Sequence, residues 1–360
     1  MASLNRREFI GGAAALFAVG AMGGALAGCG SSNSSSSSSS GASKPDKVVF
    51  VWEPNESTTT YDGMREEVAK CFETGGGIPC EMMTTTDYNV TIESLVSGKA
   101  QFASLGASEY LESHAKNKDI DIAFVLSNDE GKLDEVSYHS MICVRTEDAD
   151  KYKNSSGGYS LDSIKGKSFS FVNLNSTSGF VVPATVIKNQ FSLNSTDDLA
   201  EGGSDKFFSN VLLPGSHPGS LYNLVSGDAD LAVFADYLTD PFDELVSGTA
   251  GETGAVYKIK EGVDTPLDKS GGKSFTVIDS LAVPAVPICV NKGAIDDETR
   301  EKIIAYMTGD EVAANKKIFP DPNDKDTVSN WSKTTDKVRF VRADDSYYDS
   351  FRKMIGWDKD

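Results

Sequence analysis

Basic residues are in short supply: 34 Lys and Arg stand against 53 Asp and Glu, a formal net charge of −19. The acidic excess runs along the whole chain and leaves no basic face, which excludes a nucleic-acid partner. It does not exclude small anions, because backbone dipoles can make a site locally attractive to them. Histidine is scarcer still, with only His114, His139 and His217, and the five cysteines follow no zinc-ligand spacing. No metal or other cofactor is expected. Beyond the first thirty residues there is no apolar run long enough to cross a bilayer. If the protein serves transport, the channel belongs to another chain.

What the chain does have at its start is an export signal. Arg6-Arg7 and Phe9 precede an uncharged stretch of Gly, Ala, Leu, Phe and Val that ends in Leu26-Ala27-Gly28-Cys29. A basic start, an apolar middle and a small-residue cleavage region make a secretory signal, and the paired arginines suit the twin-arginine route. Leu-Ala-Gly-Cys is a lipobox, so residues 1–28 read as a signal peptide and Cys29 as the lipidated new N-terminus. The competing reading, an uncleaved membrane helix, is weakened by the Gly and Ala content. Residues 29–46, with an unbroken serine run from Ser34 to Ser40, cannot bury a core and read as a flexible tether. The expected location is outside the cytoplasm, lipid-anchored at the outer face of the cell membrane or on its periplasmic side.

About 315 residues remain, enough for two lobes of ordinary domain size. Strands near 48–52, 79–84 and 101–105 alternate with helices near 62–73, 89–97 and 107–116. After a strand near 138–145 the order begins again: strand 168–173, helix 178–190, strand 207–213, helix 219–226, strand 230–235. A helical block follows over 297–318 and 346–356. Strands alternating with helices, twice over, predict an α/β fold of two lobes, each a sheet flanked by helices, with a cleft between them. In open α/β sheets ligands sit at the carboxyl ends of strands. Asp87-Tyr88, Asn175 to Gly179, and Gly215 to Gly219 therefore become candidate contacts. Cys71 and Cys80 flank a glycine turn and form a candidate disulfide in an exported chain. Cys143 and Cys289 pair only if their strands are neighbours; otherwise they are buried thiols.

The middle turn says most. Asn175-Ser176-Thr177-Ser178-Gly179-Phe180-Val181-Val182-Pro183 places three hydroxyl residues at a helix start, where unused N–H groups and the helix dipole favour an anion without any Lys or Arg. An ordinary N-cap would use the same residue types.

This segment resembles the signature of the phosphate/phosphonate/phosphite-binding proteins of ABC importers, members of the type II periplasmic-binding-protein fold. Other segments match in the same order. They are Thr86-Asp87-Tyr88 with Ile92 to Gly98 and Phe102 to Gly106, then Leu161 to Lys167, then Gly215-Ser216-His217 with Val225 to Asp230, and finally Ala343 to Asp349. The likeness spans nearly all of the body from Val48. It implies a first lobe over 47–137, a second over 138–289 with hinge strands at both ends, and a return to the first over 290–360. It also implies a monomer that hands a small phosphorus oxyanion to a permease powered by a separate ATPase.

For the site, the resemblance implies that Ser176, Thr177 and Ser178 hold the oxyanion, that Tyr88 closes on it from the first lobe, and that Tyr138 and His217 donate. Asp236 would accept a proton from a P–OH group or pair with an amine, and Tyr237 would be a cleft neighbour. The chain departs from the family in His139, where a second tyrosine is usual, and in Pro218. These departures bear on the choice of ligand, not on its class. Two enzyme-like patterns fail on sequence grounds. Ser178, His217 and Asp236 lack a nucleophile elbow, and Gly271-Gly272-Lys273-Ser274 lacks both the first glycine and the following helix of a phosphate loop. A phosphate-ester hydrolase and a ligand-sensing subunit remain the alternatives.

Overall fold

A computed structural model describes residues 42–55, 59–134, 136–321, 324, 327–331 and 333–357. The signal segment, Cys29 and the serine run therefore lie outside the described residues.

Among the described residues thirteen strands form two sheets. The first holds β1 (Val48–Trp52), β2 (Cys80–Thr84), β3 (Phe102–Ser104), β4 (Ile120–Leu126), β12 (Ile288–Asn291) and β13 (Phe340–Val341), in the order β13-β4-β12-β3-β1-β2. The uniformly apolar β1 pairs in parallel with β2 and β3, buried on both faces as an inner strand must be. The second holds β5 (Ser137–Arg145), β6 (Ser168–Ser170), β7 (Asn210–Leu212), β8 (Leu231–Ala235), β9 (Asp243–Ser247), β10 (Val256–Ile259) and β11 (Ser274–Pro284), in the order β7-β6-β8-β5-β11-β10-β9. Both sheets are mixed, since β12 runs antiparallel to β3 and β4, and β5 antiparallel to β8 and β11. The helices that flank them are α1 (Asp62–Gly76), α2 (Tyr88–Val96), α3 (Ala107–Lys116), α4 (Val182–Phe191), α5 (His217–Ser226), α6 (Asp297–Met307) and α7 (Asp349–Ile355).

The chain passes between the sheets twice, over 127–136 and 285–287. These crossings are tied together: Ala285 N–H donates to Val136 O at 2.7 Å, and Tyr348 Oη donates to Ala285 O. Tyr347 Oη accepts from Val136 N–H at 3.3 Å, so the tyrosine pair near the C-terminus pins the connection.

The cysteines need correction. Cys71 and Cys80 are both free. Cys71 lies on the buried side of α1 facing Glu67 and Glu311, whereas Cys80 faces Glu73 and Glu81. The two thiols look into different neighbourhoods. Burial pushes them up to about 11 and about 12, so both stay protonated. Cys143 is in β5 of the second sheet and Cys289 in β12 of the first, so their strands are not neighbours and both are buried thiols. Part of 319–338 has a packing role: Trp331 meets Trp52 at 6.0 Å and Phe340 at 4.8 Å, closing the core of the first lobe. Among the described residues no helix is long and apolar enough to cross a membrane.

Candidate functional site

The two sheets present the ends of four strands to one cleft. After β1 come Glu53 and Asn55, after β3 Gly106 and Glu109, after β6 Ser176 to Ser178, and after β8 Tyr237 and Leu238. Tyr138, His217 and Val286 complete the lining. The carboxyl-end rule for α/β sheets is thus obeyed in both lobes at once.

The hydroxyl turn is built by its own side chains. Ser176 caps it, its Oγ accepting from Gly179 N–H at 3.2 Å, and the backbone then makes one π-type turn, Thr177–Val181, before α4. Phe180 N–H and Val181 N–H both donate to Ser176 O, at 2.9 and 3.0 Å, which leaves the N–H groups of 177 and 178 unused by the helix. Pro183 falls at the start of α4, where no N–H is missed. From the second sheet, Ser140 Oγ donates to Ser178 O at 2.6 Å and fixes the turn against β5. Ser176, Thr177 and Ser178 are all buried.

His217 opens α5, with Ser216 as its N-cap. Its Nδ1 accepts from Ala235 N–H at 2.9 Å, so the ring proton must sit on Nε2. Burial pulls the imidazole down to about 3, and at neutral pH it is an uncharged donor. The Tyr138 phenol lies beside the Ser178 side chain and stacks edge-on against Tyr237 at 5.1 Å. Burial raises its pKa, so it too stays neutral. The cleft therefore gathers uncharged donors, and no Lys or Arg lines it among the described residues.

Two expected residues are placed differently. Tyr88 is not in the lining; its hydroxyl donates to Asn55 Oδ1 at 2.7 Å, and it is Asn55 that faces the cleft. Asp236 also turns away. Its Oδ2 accepts from His139 Nδ1 at 2.8 Å and from His139 N–H at 3.2 Å, and its Oδ1 accepts from Tyr237 N–H at 2.8 Å. The histidine that departs from the family pattern has drawn the carboxylate to itself. With His217 Nδ1 bound to Ala235 and Asp236 bound to His139, Ser178, His217 and Asp236 form no relay. Lys273 is likewise spent, its Nζ donating to Val225 O at 2.9 Å.

The His139–Asp236 pair carries a pH signature. The hydrogen bond to Asp236 raises the His139 pKa above its usual 6.5. A raised base contributes stability that is full below 6.5 and lost as pH rises through the folded value. Asp236→Asn should lower the melting temperature at pH 6 by the equivalent of up to about 1 kcal/mol, given the partial exposure of both groups, and by less at pH 8.5. Equal losses at both pH values would show that the pair is not linked to protonation.

Glu53, Asn55, Gly106 and Glu109 line the cleft without having been singled out from sequence. A signal existed, because each follows a strand whose carboxyl end obeys the rule already applied to other turns. Asn55 also bridges the lobes, its backbone carbonyl accepting from His217 N–H at 3.0 Å.

Two α/β lobes joined by paired crossings, with a donor-lined cleft at their strand ends, define a solute-binding protein of the type II periplasmic-binding fold. Residues 50–348 match the periplasmic substrate-binding proteins of phosphonate ABC transporters, and the chain belongs to that family. It is the solute-binding component of an ABC importer. The phosphate-import protein PhnD of Mycolicibacterium smegmatis is 23% identical over 240 residues, which is 66% of this chain and 68% of that protein. A binding protein component of an ABC phosphonate transporter from Pseudomonas aeruginosa superposes with a TM-score of 0.58 and 17% identity, covering 87% of this chain and 86% of that one. PhnD1 of Prochlorococcus marinus, solved in complex with methylphosphonate, superposes at 0.59 with 12% identity, covering 86% and 97%.

Proposed function

We propose that this chain captures a phosphorus oxyanion (a phosphonate, phosphite or phosphate) between its lobes and delivers it to the permease and ATPase of its importer. The observation that carries this reading is the meeting of the Ser176-Thr177-Ser178 turn with the neutral His217 and Tyr138 donors in one buried cleft. Such a set holds an oxyanion through hydrogen bonds and the helix dipole, with no counter-charge. Asn55, steadied by Tyr88, offers a side-chain amide from the first lobe. The lobes close by hinge motion at the two crossings, where Val136, Ala285 and Tyr348 are tied together. The protein works as a monomer held at the membrane by a lipid on Cys29 and the serine-rich tether.

A thermal-shift panel of phosphate, phosphite, methylphosphonate, 2-aminoethylphosphonate and sulfate tests it. At a hundred times its dissociation constant a true ligand adds about 2.7 kcal/mol to stability. At least one phosphorus compound should raise the melting temperature by several degrees and sulfate should not. No shift from any of them removes the assignment, and sustained turnover of a chromogenic phosphate ester would replace it with a hydrolase.

A further inference from the structure

The donors of the hydroxyl turn are engaged by a carboxylate from the other lobe. Thr177 N–H donates to Glu109 Oε1 at 3.2 Å, and Thr177 Oγ1 donates to Glu109 Oε2. Ser108 Oγ donates to the same Oε2 at 2.9 Å, while Ser108 N–H donates to Thr177 Oγ1 at 2.9 Å. Glu109 is 1% exposed, in the first turn of α3. It occupies the donors that a phosphoryl oxygen would need. An oxyanion on Thr177 would meet this carboxylate at contact distance, and two negative charges cannot both persist in a buried site.

Resting on the oxyanion reading of the cleft, we propose that Glu109 is a proton-linked gatekeeper: an anionic ligand takes the Thr177 donors only as Glu109 releases them and accepts a proton. The proton comes from solvent, and the neutral carboxyl can then donate to a ligand oxygen. Binding is thereby coupled to uptake of about one proton where Glu109 starts out ionised, and weakens as pH rises.

The surroundings leave Glu109 to do this. Facing it are Glu53 from the end of β1, Tyr138 from β5, His217 from the start of α5 and Cys289 from β12, with Asp236 beyond Tyr138. His217 is held uncharged by burial, and burial raises both the Tyr138 phenol and the Cys289 thiol, so none of the three supplies a positive charge or titrates near neutrality. Asp236 is turned to His139. Burial pushes the Glu109 carboxyl up to about 7, against the opposing hydrogen bonds from Thr177 and Ser108. Glu53 is a second acid in the lining of the same cleft.

The test is calorimetry with inorganic phosphate and with methylphosphonate, at pH 6 and pH 8, each in two buffers of different ionisation heat. Because these ligands titrate themselves, Glu109→Gln is measured beside the wild type, and Glu109→Ala as a second variant in case the first fails to fold. At pH 8 the wild type should take up about one proton more per ligand than either variant, and bind about tenfold more weakly than Glu109→Gln, a gap that closes at pH 6. A purely structural clasp between lobes would alter affinity without altering proton uptake. Equal uptake in wild type and variants overturns the proposal while leaving the oxyanion site standing. No heat from either ligand with any of the proteins overturns the site, and the proposal with it.

Discussion

Replacing Thr177 and Ser178 together by alanine is expected to weaken binding of a phosphorus oxyanion by a hundredfold or more while the protein stays folded. Each lost hydroxyl removes a hydrogen bond to a charged group, worth roughly 1.5–3 kcal/mol, and every 1.4 kcal/mol is a tenfold change in affinity. The backbone N–H groups and the helix dipole survive the change, so residual binding is expected rather than none. The fold should tolerate it because the structural serine of the turn is Ser176, whose hydroxyl caps Gly179 N–H and is left in place. Thr177→Ala does take an acceptor from Ser108 N–H and a donor from the Glu109 carboxylate. A stability loss of about 1–3 kcal/mol is therefore expected, visible as a few degrees in a melt. Affinity retained within tenfold would move the ligand elsewhere in the molecule. Ser176→Ala is the informative contrast: it should cost stability first, through the lost cap.

The regular parts of this molecule were legible because their hydrophobic spacing repeats a simple period. The strand at 48–52 and the helices near 62–73, 89–97 and 107–116 appear within a few residues of their expected bounds. What escaped was β4, β9, β10 and β13. The strand β9, Asp243-Glu244-Leu245-Val246-Ser247, is an edge strand exposed along most of its length, so it carries no burial pattern to read. The site divides the same way. Ser176 to Ser178 and His217 sit where strand ends and helix starts put them, which sequence order reveals, while Tyr138, implied by the family resemblance, enters from the start of β5. Asp236 could be located but not aimed, since its partner His139 is 97 residues away along the chain. The strand-end rule could place Glu109 near the cleft, but its burial was hidden for a different reason. In Ala107-Ser108-Glu109-Tyr110-Leu111 all of the first five positions of α3 are buried, because the second lobe packs over the side that a lone helix would show to water. A glutamate there looks like any surface glutamate until both lobes are in view.

The interlobe contact at Glu109 also makes Gly106 the most sensitive backbone position of the cleft. Gly106 lies two residues past β3 and caps α3 with φ −67° and ψ 168°, a conformation open to any residue. What is not open is the space beside it. A Cβ at this position would lie 2.4 Å from Glu109 Oε2 and 2.5 Å from Thr177 Oγ1, well inside contact distance. The Glu109 side chain can swing aside, but Thr177 belongs to the turn of the other lobe, held by Ser140 and the Ser176 cap. A methyl group at 106 thus stands between the lobes rather than within one. Gly106→Ala should leave each lobe intact, even slightly stabilised by the reduced freedom of the unfolded chain. Closure should suffer instead, with a larger radius of gyration in small-angle scattering and oxyanion binding weakened a hundredfold or more. The decisive comparison adds Thr177→Ala to Gly106→Ala, which removes the obstructing Oγ1. Compactness should then recover while affinity does not, because space has been restored and a donor has not. Recovery of both, or of neither, would separate Gly106 from the closing of the cleft.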